Sequence, residues 1–369
     1  MALFDPRVLG AVPAGLRRER MQSSPRYRDG RFHNTDPISD PMSDQPFGKR
    51  MSIIGEFFFG RERRTPGGLV SVETPLASWS RAAETGLRAT WLGHSTVLLE
   101  IDGVRVLTDP VWGERVSPFA WTGPQRFHRA PVRIDELPEL DVVIVSHDHY
   151  DHLDYPSVRE LARRKVPFIT SLGVGAHLEA WGVAPERITE LDWWESTTVR
   201  GLGVTATPSR HFSGRGNGGN RTAWSSFVMQ TDRHRVFFSG DTGLTRELED
   251  IGARFGPFDL VMLEVGAFHP AWGSIHLGPE NALTALRMLG GGPLLPVHWA
   301  TFDLGLHPWH EPAEILAQRA PAEGAQLLLP RVGVAVEPTR VESVDPWWRA
   351  IARATGEPAA ARWQRVPTP

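Results

Sequence analysis

The chain has 369 residues, of which 41% are hydrophobic and 22% are charged, and its formal net charge is −3 with a pI near 6.5. This composition is typical of a soluble globular protein with a substantial core, and it argues against a dedicated nucleic-acid binder. The chain contains no Cys, which excludes disulfides and thiolate metal sites, and no apolar run approaches the roughly 20 residues of a membrane span.

Residues 1–85 are rich in Pro, Gly, Arg and Asp, and their weak periodicity predicts an extended N-terminal arm that packs on the body of the protein. Within the arm, the aromatic run Phe57 to Phe59 is followed by a basic cluster at 61–64. Aromatic and basic side chains together suit an anionic lipid surface, but such a cluster also suits packing on the body or on another subunit. The sequence leaves these alternatives open.

From residue 86 to about 340 the pattern changes to short strands, tight turns and helices, which predicts one main domain. Strands are expected at 87–92, 96–101 and 104–108, and His94 and Asp109 stand at strand ends. A long loop at 110–133 follows, and loops of this length are usually functional or mobile. Its aromatic residues are Trp112, Phe119, Trp121 and Phe127.

The most informative stretch is the loop 146–154, which lies between a buried-type strand at 141–145 and a helix predicted at 155–164. It contains four potential metal ligands, namely His147, His149, Asp151 and His152. Imidazoles and a carboxylate at alternate positions of a loop suit zinc, and four donors are enough for parts of two metal sites.

Strands and helices continue to alternate up to about residue 340, and three further donors follow the predicted strands. These donors are His211, Asp241 and His298. Helices are expected at 174–181, 279–289 and 312–319, the last strands at 326–329 and 332–336, and a Trp-bearing C-terminal tail at 341–369. Two ions can share the seven donors if Asp241 bridges them and a hydroxide fills the open position.

Taken in order, the motifs resemble those of the metallo-β-lactamase fold superfamily, and more narrowly those of the N-acyl-phosphatidylethanolamine-hydrolysing phospholipase D family. The motifs are WLGHST at 91–96, LTDPVW at 107–112, SHDHYDHLD at 146–154, FSGDTG at 238–243 and HW at 298–299. The resemblance covers about residues 25–314. It implies an α+β fold, a four-layer αβ/βα sandwich with the metals at the edge of its two sheets.

The resemblance also implies roles for individual residues and a cofactor of two Zn²⁺ ions per chain, with manganese or iron as alternatives. One zinc would be held by His147, His149 and His211, the other by Asp151, His152 and His298, and both by Asp241. His94 and Asp109 would orient ligating imidazoles. His276 would lie beside the substrate phosphate, where it could bind the phosphoryl oxygen or aid departure of the leaving group.

The function implied is hydrolysis of a phosphodiester by a metal-bridging hydroxide, with Asp151, Asp241 and His276 as catalytic residues and a phospholipid of the N-acyl-phosphatidylethanolamine type as substrate. The residues around His276, at 273–281, depart from those of the animal enzymes, which leaves the lipid specificity open. A lactonase on the same metal pair and a metal-binding protein without turnover are the alternatives.

The expected location is the cytoplasm, with peripheral contact with the inner membrane surface and a homodimer left open.

Overall fold

The computed structural model describes residues 5–38, 46–48, 51, 63–119, 121–216 and 218–356. The aromatic run Phe57 to Phe59 lies outside the described residues, so the choice between membrane, partner and own core stays open. Within these ranges, no helix combines the length and the apolar character needed to cross a bilayer.

The described helices and strands alternate from residue 87 onward. The helices are α1 Gly15–Ser23, α2 Leu76–Trp79, α3 Tyr155–Arg163, α4 Gly175–Ala180, α5 Glu247–Phe255, α6 Gly278–Met288, α7 Glu311–Arg319 and α8 Trp347–Ala354. The strands are β1 Tyr27–Arg28, β2 Arg31–Phe32, β3 Leu87–Gly93, β4 Thr96–Ile101, β5 Val104–Thr108, β6 Val142–Val145, β7 Phe168–Ser171, β8 Ile188–Leu191, β9 Ser196–Val199, β10 Leu202–Thr207, β11 Gly214–Arg215, β12 Gly218–Gly219, β13 Ser226–Gln230, β14 Arg235–Phe238, β15 Leu260–Glu264, β16 Leu294–Val297 and β17 Ala335–Val336.

Two large mixed sheets form the centre of the described fold. The first has the strand order β17-β3-β4-β5-β6-β7-β8, and the second has the order β16-β15-β14-β13-β10-β9. In the first sheet β5, β6, β7 and β8 are parallel, and in the second β14, β15 and β16 are parallel. Parallel neighbours end at the same edge of a sheet, so the residues that follow them are brought together.

Alternate side chains of each central strand pack on opposite faces of the first sheet. On β6, Val142 and Ile144 join the core between the two sheets, whereas Val143 and Val145 face the outer layer of α3 and α4. Helices α5, α6 and α7 contribute Leu248, Leu283 and Leu316 to the other outer layer. Helix, sheet, sheet and helix therefore make four layers, which confirms the predicted αβ/βα sandwich.

The predicted strands and the observed ones differ most near the end of the chain. The strand expected at 326–329 is wrong, because this segment makes only an isolated bridge between Leu294 and Leu327 before Pro330, which has no N–H to donate. Two edge strands, β8 and β9, were not predicted. Their partly exposed Thr, Ser and Glu residues lack the apolar alternation on which strand prediction depends.

Both ends of the described chain contact the central layers. Arg17 and Arg26 of the N-terminal segment pair with Glu190 and Asp192, and the C-terminal Trp348 is fully buried. The division into units at residues 85 and 340 stays a prediction.

Candidate metal centre

The potential ligands predicted from the sequence all lie where strands of the two sheets end. The loop after β6 carries His147, His149, Asp151 and His152, the loop after β10 carries His211, the loop after β14 carries Asp241, and His298 follows β16 directly. Seven side chains from 152 positions of sequence thus converge on one edge of the sandwich, in two groups whose ligand atoms lie within 4.8 Å of one another.

The first group consists of three imidazoles and Asp241. His147 Nε2 lies 2.8 Å and His211 Nε2 lies 3.4 Å from His149 Nδ1, and Asp241 Oδ2 lies 4.0 Å from His147 Nε2 and 3.6 Å from His211 Nε2. Ligand atoms of a tetrahedral zinc site, at bonds of about 2.0–2.1 Å, are separated by about 3.4 Å. The observed separations scatter around that value.

The second group contains Asp151, His152 and His298. Asp151 Oδ2 lies 3.2 Å from His298 Nε2 and 3.5 Å from His152 Nε2. Asp241 joins this group too, with Oδ1 at 3.2 Å from His152 Nε2 and Oδ2 at 3.2 Å from His298 Nε2. Asp241 therefore contacts both groups, as a bridging carboxylate must.

The arrangement of His152 and Asp241 fits a cation. His152 Nε2 and Asp241 Oδ1 are both buried, and neither has a hydrogen-bond partner among the described residues although they lie 3.2 Å apart. Buried polar atoms are normally satisfied, and two atoms this close without hydrogen-bond alignment are placed as ligands of one ion would be.

The electrostatics keep most of these side chains in the form that binds metal. Burial lowers the pKa of His147 and of His211 well below the usual range, so both rings are neutral. Burial would raise the pKa of Asp241, but the neighbouring His152 and His298 hold it well below the usual range. His152 and His298 are the opposite case, because the carboxylates of Asp241 and Asp151 outweigh burial. They raise the pKa of His152 well above its usual value and that of His298 to about 10. A cation must displace these protons.

Asp109, predicted to orient a ligating imidazole, is completely buried beside the first group and the second. Its Oδ2 lies 2.6 Å from His152 Nδ1 and accepts the hydroxyl of Ser146 at 2.7 Å, and its Oδ1 accepts the Ser146 N–H at 2.7 Å. The Ser146 hydroxyl lies 2.9 Å from His147 Nδ1. One carboxylate thus orients an imidazole of each group.

His94, the other residue predicted to orient a ligating imidazole, contacts both a carboxylate and an imidazole of the second group, since its ring centroid lies 4.1 Å from that of His298. His94 Nε2 lies 3.0 Å from Asp151 Oδ2, and its backbone carbonyl accepts the N–H of His298 at 3.0 Å. His94 is also close enough to Asp151, His152 and His298 to be a fourth donor of the second group.

His276 lies beside the two groups, and its partner Glu264 was not identified from the sequence. His276 Nδ1 lies 3.0 Å from Glu264 Oε2, and Glu264 also accepts the N–H groups of Thr242 and Leu277 at 3.0 and 3.2 Å. Burial would lower the pKa of His276, but Glu264 raises it above the usual value. Glu264 is the last residue of the buried strand β15. A carboxylate at the end of a buried strand is the feature of the sequence that could have identified Glu264 as part of the site.

Three residues at this edge hold an unusual backbone conformation. His94, Asp109 and His298 have φ angles of 53°, 33° and 64°. Non-glycine residues in the left-handed region are uncommon and cluster at functional sites. Each of the three residues directly follows a strand, at the edge of the sandwich where the potential ligands lie.

An exposed aromatic side chain lies beside the centre. Phe212 is 38% exposed, and its ring lies 4.6 Å from the ring of His149 and 4.7 Å from that of His211. On the long aromatic loop, Phe119 and Trp121 are 37% and 55% exposed, with ring centroids 5.1 Å apart.

The fold and this edge define a class of protein, which comparison with known families supports. Residues 104–299, more than half of the chain, match the model of the beta-lactamase superfamily domain. The chain belongs to the metallo-β-lactamase fold superfamily. A solved structure of this fold, isothiocyanate hydrolase from Delia radicum gut bacteria, aligns with a TM-score of 0.54 and 22% identity over 68% of this chain and 98% of its own.

Within that superfamily, the chain belongs to the N-acyl-phosphatidylethanolamine-hydrolysing phospholipase D-like family, which confirms the resemblance seen in the sequence motifs. N-acyl-phosphatidylethanolamine-hydrolyzing phospholipase D 1 of Caenorhabditis elegans is 35% identical over 64% of this chain and 70% of its own length. An uncharacterized protein of Mycobacterium tuberculosis is 45% identical over 93% of this chain and 92% of its own length.

Proposed function

We propose that this chain is a metal-dependent hydrolase that cleaves a phosphodiester, with two Zn²⁺ ions as its cofactor. The observation that carries the proposal is Asp241, whose carboxylate contacts both groups of buried donors. Manganese or iron would suit the same imidazole and carboxylate donors. His147, His149 and His211 would hold one ion and Asp151, His152 and His298 the other, with Asp241 shared.

Such a metal pair supplies an acidified water and positive charge for a phosphoryl oxygen. The side chains around it orient the reacting groups. Asp109 holds the ring of His152 and, through Ser146, that of His147. We assign to His276 a hydrogen bond to the phosphoryl oxygen or proton donation to the leaving oxygen, supported by its contact with Glu264.

The proposed substrate is a phospholipid of the N-acyl-phosphatidylethanolamine type, supported by the name of the Caenorhabditis elegans relative. The exposed ring of Phe212, beside His149 and His211, supports the same proposal, because acyl chains need an apolar surface close to the reacting phosphate. Peripheral contact with the inner membrane surface and a cytoplasmic location belong to this proposal as well.

The deciding experiment combines metal analysis with two assays on the same preparation. We expect two ions per chain, turnover of bis(p-nitrophenyl) phosphate, and little turnover of lactones. Diacyl N-acyl-phosphatidylethanolamine should be cleaved with a higher kcat/KM than a short-chain phosphodiester. Turnover of lactones alone would replace the proposal by a lactonase, and full metal occupancy without turnover of any substrate would indicate a binding protein.

A further inference from the structure

The N-terminal segment reaches one of the metal-binding loops through Asn34. The side-chain N–H of Asn34 donates to the backbone carbonyl of His211 at 2.8 Å, and its Oδ1 accepts the backbone N–H of His211 at 3.2 Å. One amide thus pairs with both backbone groups of a single residue, in the way that a neighbouring strand would. This pairing restrains the position and direction of the His211 backbone.

The ring of His211 lacks the hydrogen-bond support that two other imidazoles of the centre, those of His147 and His152, have. His147 Nδ1 lies beside the hydroxyl of Ser146, and His152 Nδ1 beside Asp109. His211 Nδ1 is buried and has no hydrogen-bond partner among the described residues. Since metal-binding histidines are usually oriented through their second ring nitrogen, His211 depends on its backbone for that orientation.

Asn34 is itself firmly held. Phe32, two residues earlier, is completely buried in a cluster with Met21 and Trp224, and the indole N–H of Trp224 donates to Asn34 Oδ1 at 3.1 Å. On the other side of Asn34, the guanidinium of Arg210 donates to the carbonyl of Pro37 at 3.0 Å. The segment is therefore packed on both sides of Asn34, and rotation of the amide away from His211 would also break its hydrogen bond with Trp224.

The same segment reaches the second metal-binding loop, at 146–154, through His177. The N–H of Ala11 donates to Nδ1 of the buried His177 at 2.9 Å, so His177 carries its proton on Nε2, which lies 3.3 Å from Asp148 Oδ2. Asp148 stands between His147 and His149. Both loops that carry the first group of imidazoles are thus linked to residues 5–38, the His211 loop directly and the other through His177.

We propose that the N-terminal arm is part of the metal centre, with Asn34 as a positioning residue that holds His211 in place for the ion it shares with His147 and His149. The inference rests on the proposed metal pair. It gives the arm a role beyond covering the body of the protein, and Asn34 is not expected to touch the substrate.

The test is the stepwise Zn²⁺ affinity of the full-length protein, measured by competition with a chromophoric chelator. Asn34→Ala removes both hydrogen bonds to His211, and we expect one of the two affinities to fall roughly 10- to 100-fold while the other is unchanged. His33→Ala is the matched control, because the hydrogen bond of its ring among the described residues is to the carbonyl of Arg28 within the arm. It should keep both affinities.

If Asn34→Ala does not fold, Asn34→Asp serves instead, since it keeps the acceptor for the His211 N–H and loses the donor to the His211 carbonyl. The inference would be overturned if a folded Asn34 variant kept both Zn²⁺ affinities at their wild-type values. It would also be overturned if His33→Ala lost as much Zn²⁺ affinity as Asn34→Ala. A wild-type protein that binds no ion pair would overturn the proposed function itself, and the inference with it.

Discussion

Replacement of Asp109 by Asn tests whether a carboxylate behind the donors controls metal binding. In the wild type, Asp109 is completely buried and only accepts hydrogen bonds, two from Ser146 and one from His152. An Asn must present its N–H₂ to one side. In one orientation of the amide, its N–H₂ would face the N–H of the His152 ring, and in the other it would face the backbone N–H of Ser146. In either case two hydrogen-bond donors would point at each other.

The expected magnitude follows from the hydrogen bond that is lost. A hydrogen bond to a charged group contributes about 1.5–3 kcal/mol, and since about 1.4 kcal/mol corresponds to a factor of ten, metal affinity should fall roughly 10- to 100-fold. The His152 ring can avoid the clash by moving its proton to Nε2, the atom that faces Asp241. In that tautomer it no longer offers a lone pair to an ion.

The assay is competition for Zn²⁺ with a chromophoric chelator, run beside urea unfolding of the metal-free protein. The matched control is Asp154→Asn, another buried carboxylate, which caps α3 and contacts Ser157 and Gly113 without touching a histidine. It should lose stability but keep its metal affinity. Wild-type affinity in Asp109→Asn, or an equal loss in Asp154→Asn, would refute the reasoning.

Three further predictions concern other charged groups. Asp241→Asn should lose both bound metal and phosphodiesterase turnover, because Asp241 joins the two groups of donors; unchanged metal stoichiometry would contradict the bridge. Glu264→Gln should keep its metal but lose roughly 10²-fold or more in kcat, because His276 loses the carboxylate that orients its ring. An unchanged kcat and an unchanged pH profile would exclude an orienting role for Glu264.

Burial would raise the pKa of Glu314, but hydrogen bonds from Arg349 and Trp348 lower it below 4.5. Glu314→Gln should therefore cost about 1–3 kcal/mol in unfolding free energy at pH 7, and the difference from wild type should vanish as pH falls through that lowered pKa; a pH-independent difference in urea melts would contradict it.

The positions of most strands along the chain and the seven donors could be predicted, because both depend on local patterns. Strand β16 was predicted with its observed bounds because Leu294 to Val297 is a short apolar run followed by His298, and β4 and β5 were recognised from the Asp-Gly turn between them. The seven donors could be recognised in the sequence because so many His and Asp residues directly after strands are not expected by chance.

Two of the supporting residues, Asn34 and Glu264, were not identified from the sequence, because their roles depend on distant contacts. Asn34 lies 177 positions from His211 in a segment without periodicity, and nothing local distinguishes it from other polar residues of the arm. Glu264 looked like the end of a strand, and only the fold places it beside His276. The arrangement of the layers likewise followed from family resemblance, since the strand pattern alone does not define which sheets face each other.

The left-handed conformations of His94, Asp109 and His298 have an evolutionary consequence. Each holds its backbone at a cost of about 1–3 kcal/mol, which the rest of the fold must offset. In a descendant released from selection for activity, Gly at 298 would relieve that backbone strain at the expense of a buried imidazole and one metal donor. Glycine at this strand end in an otherwise similar sequence would therefore mark a protein that has given up its metals and kept its scaffold.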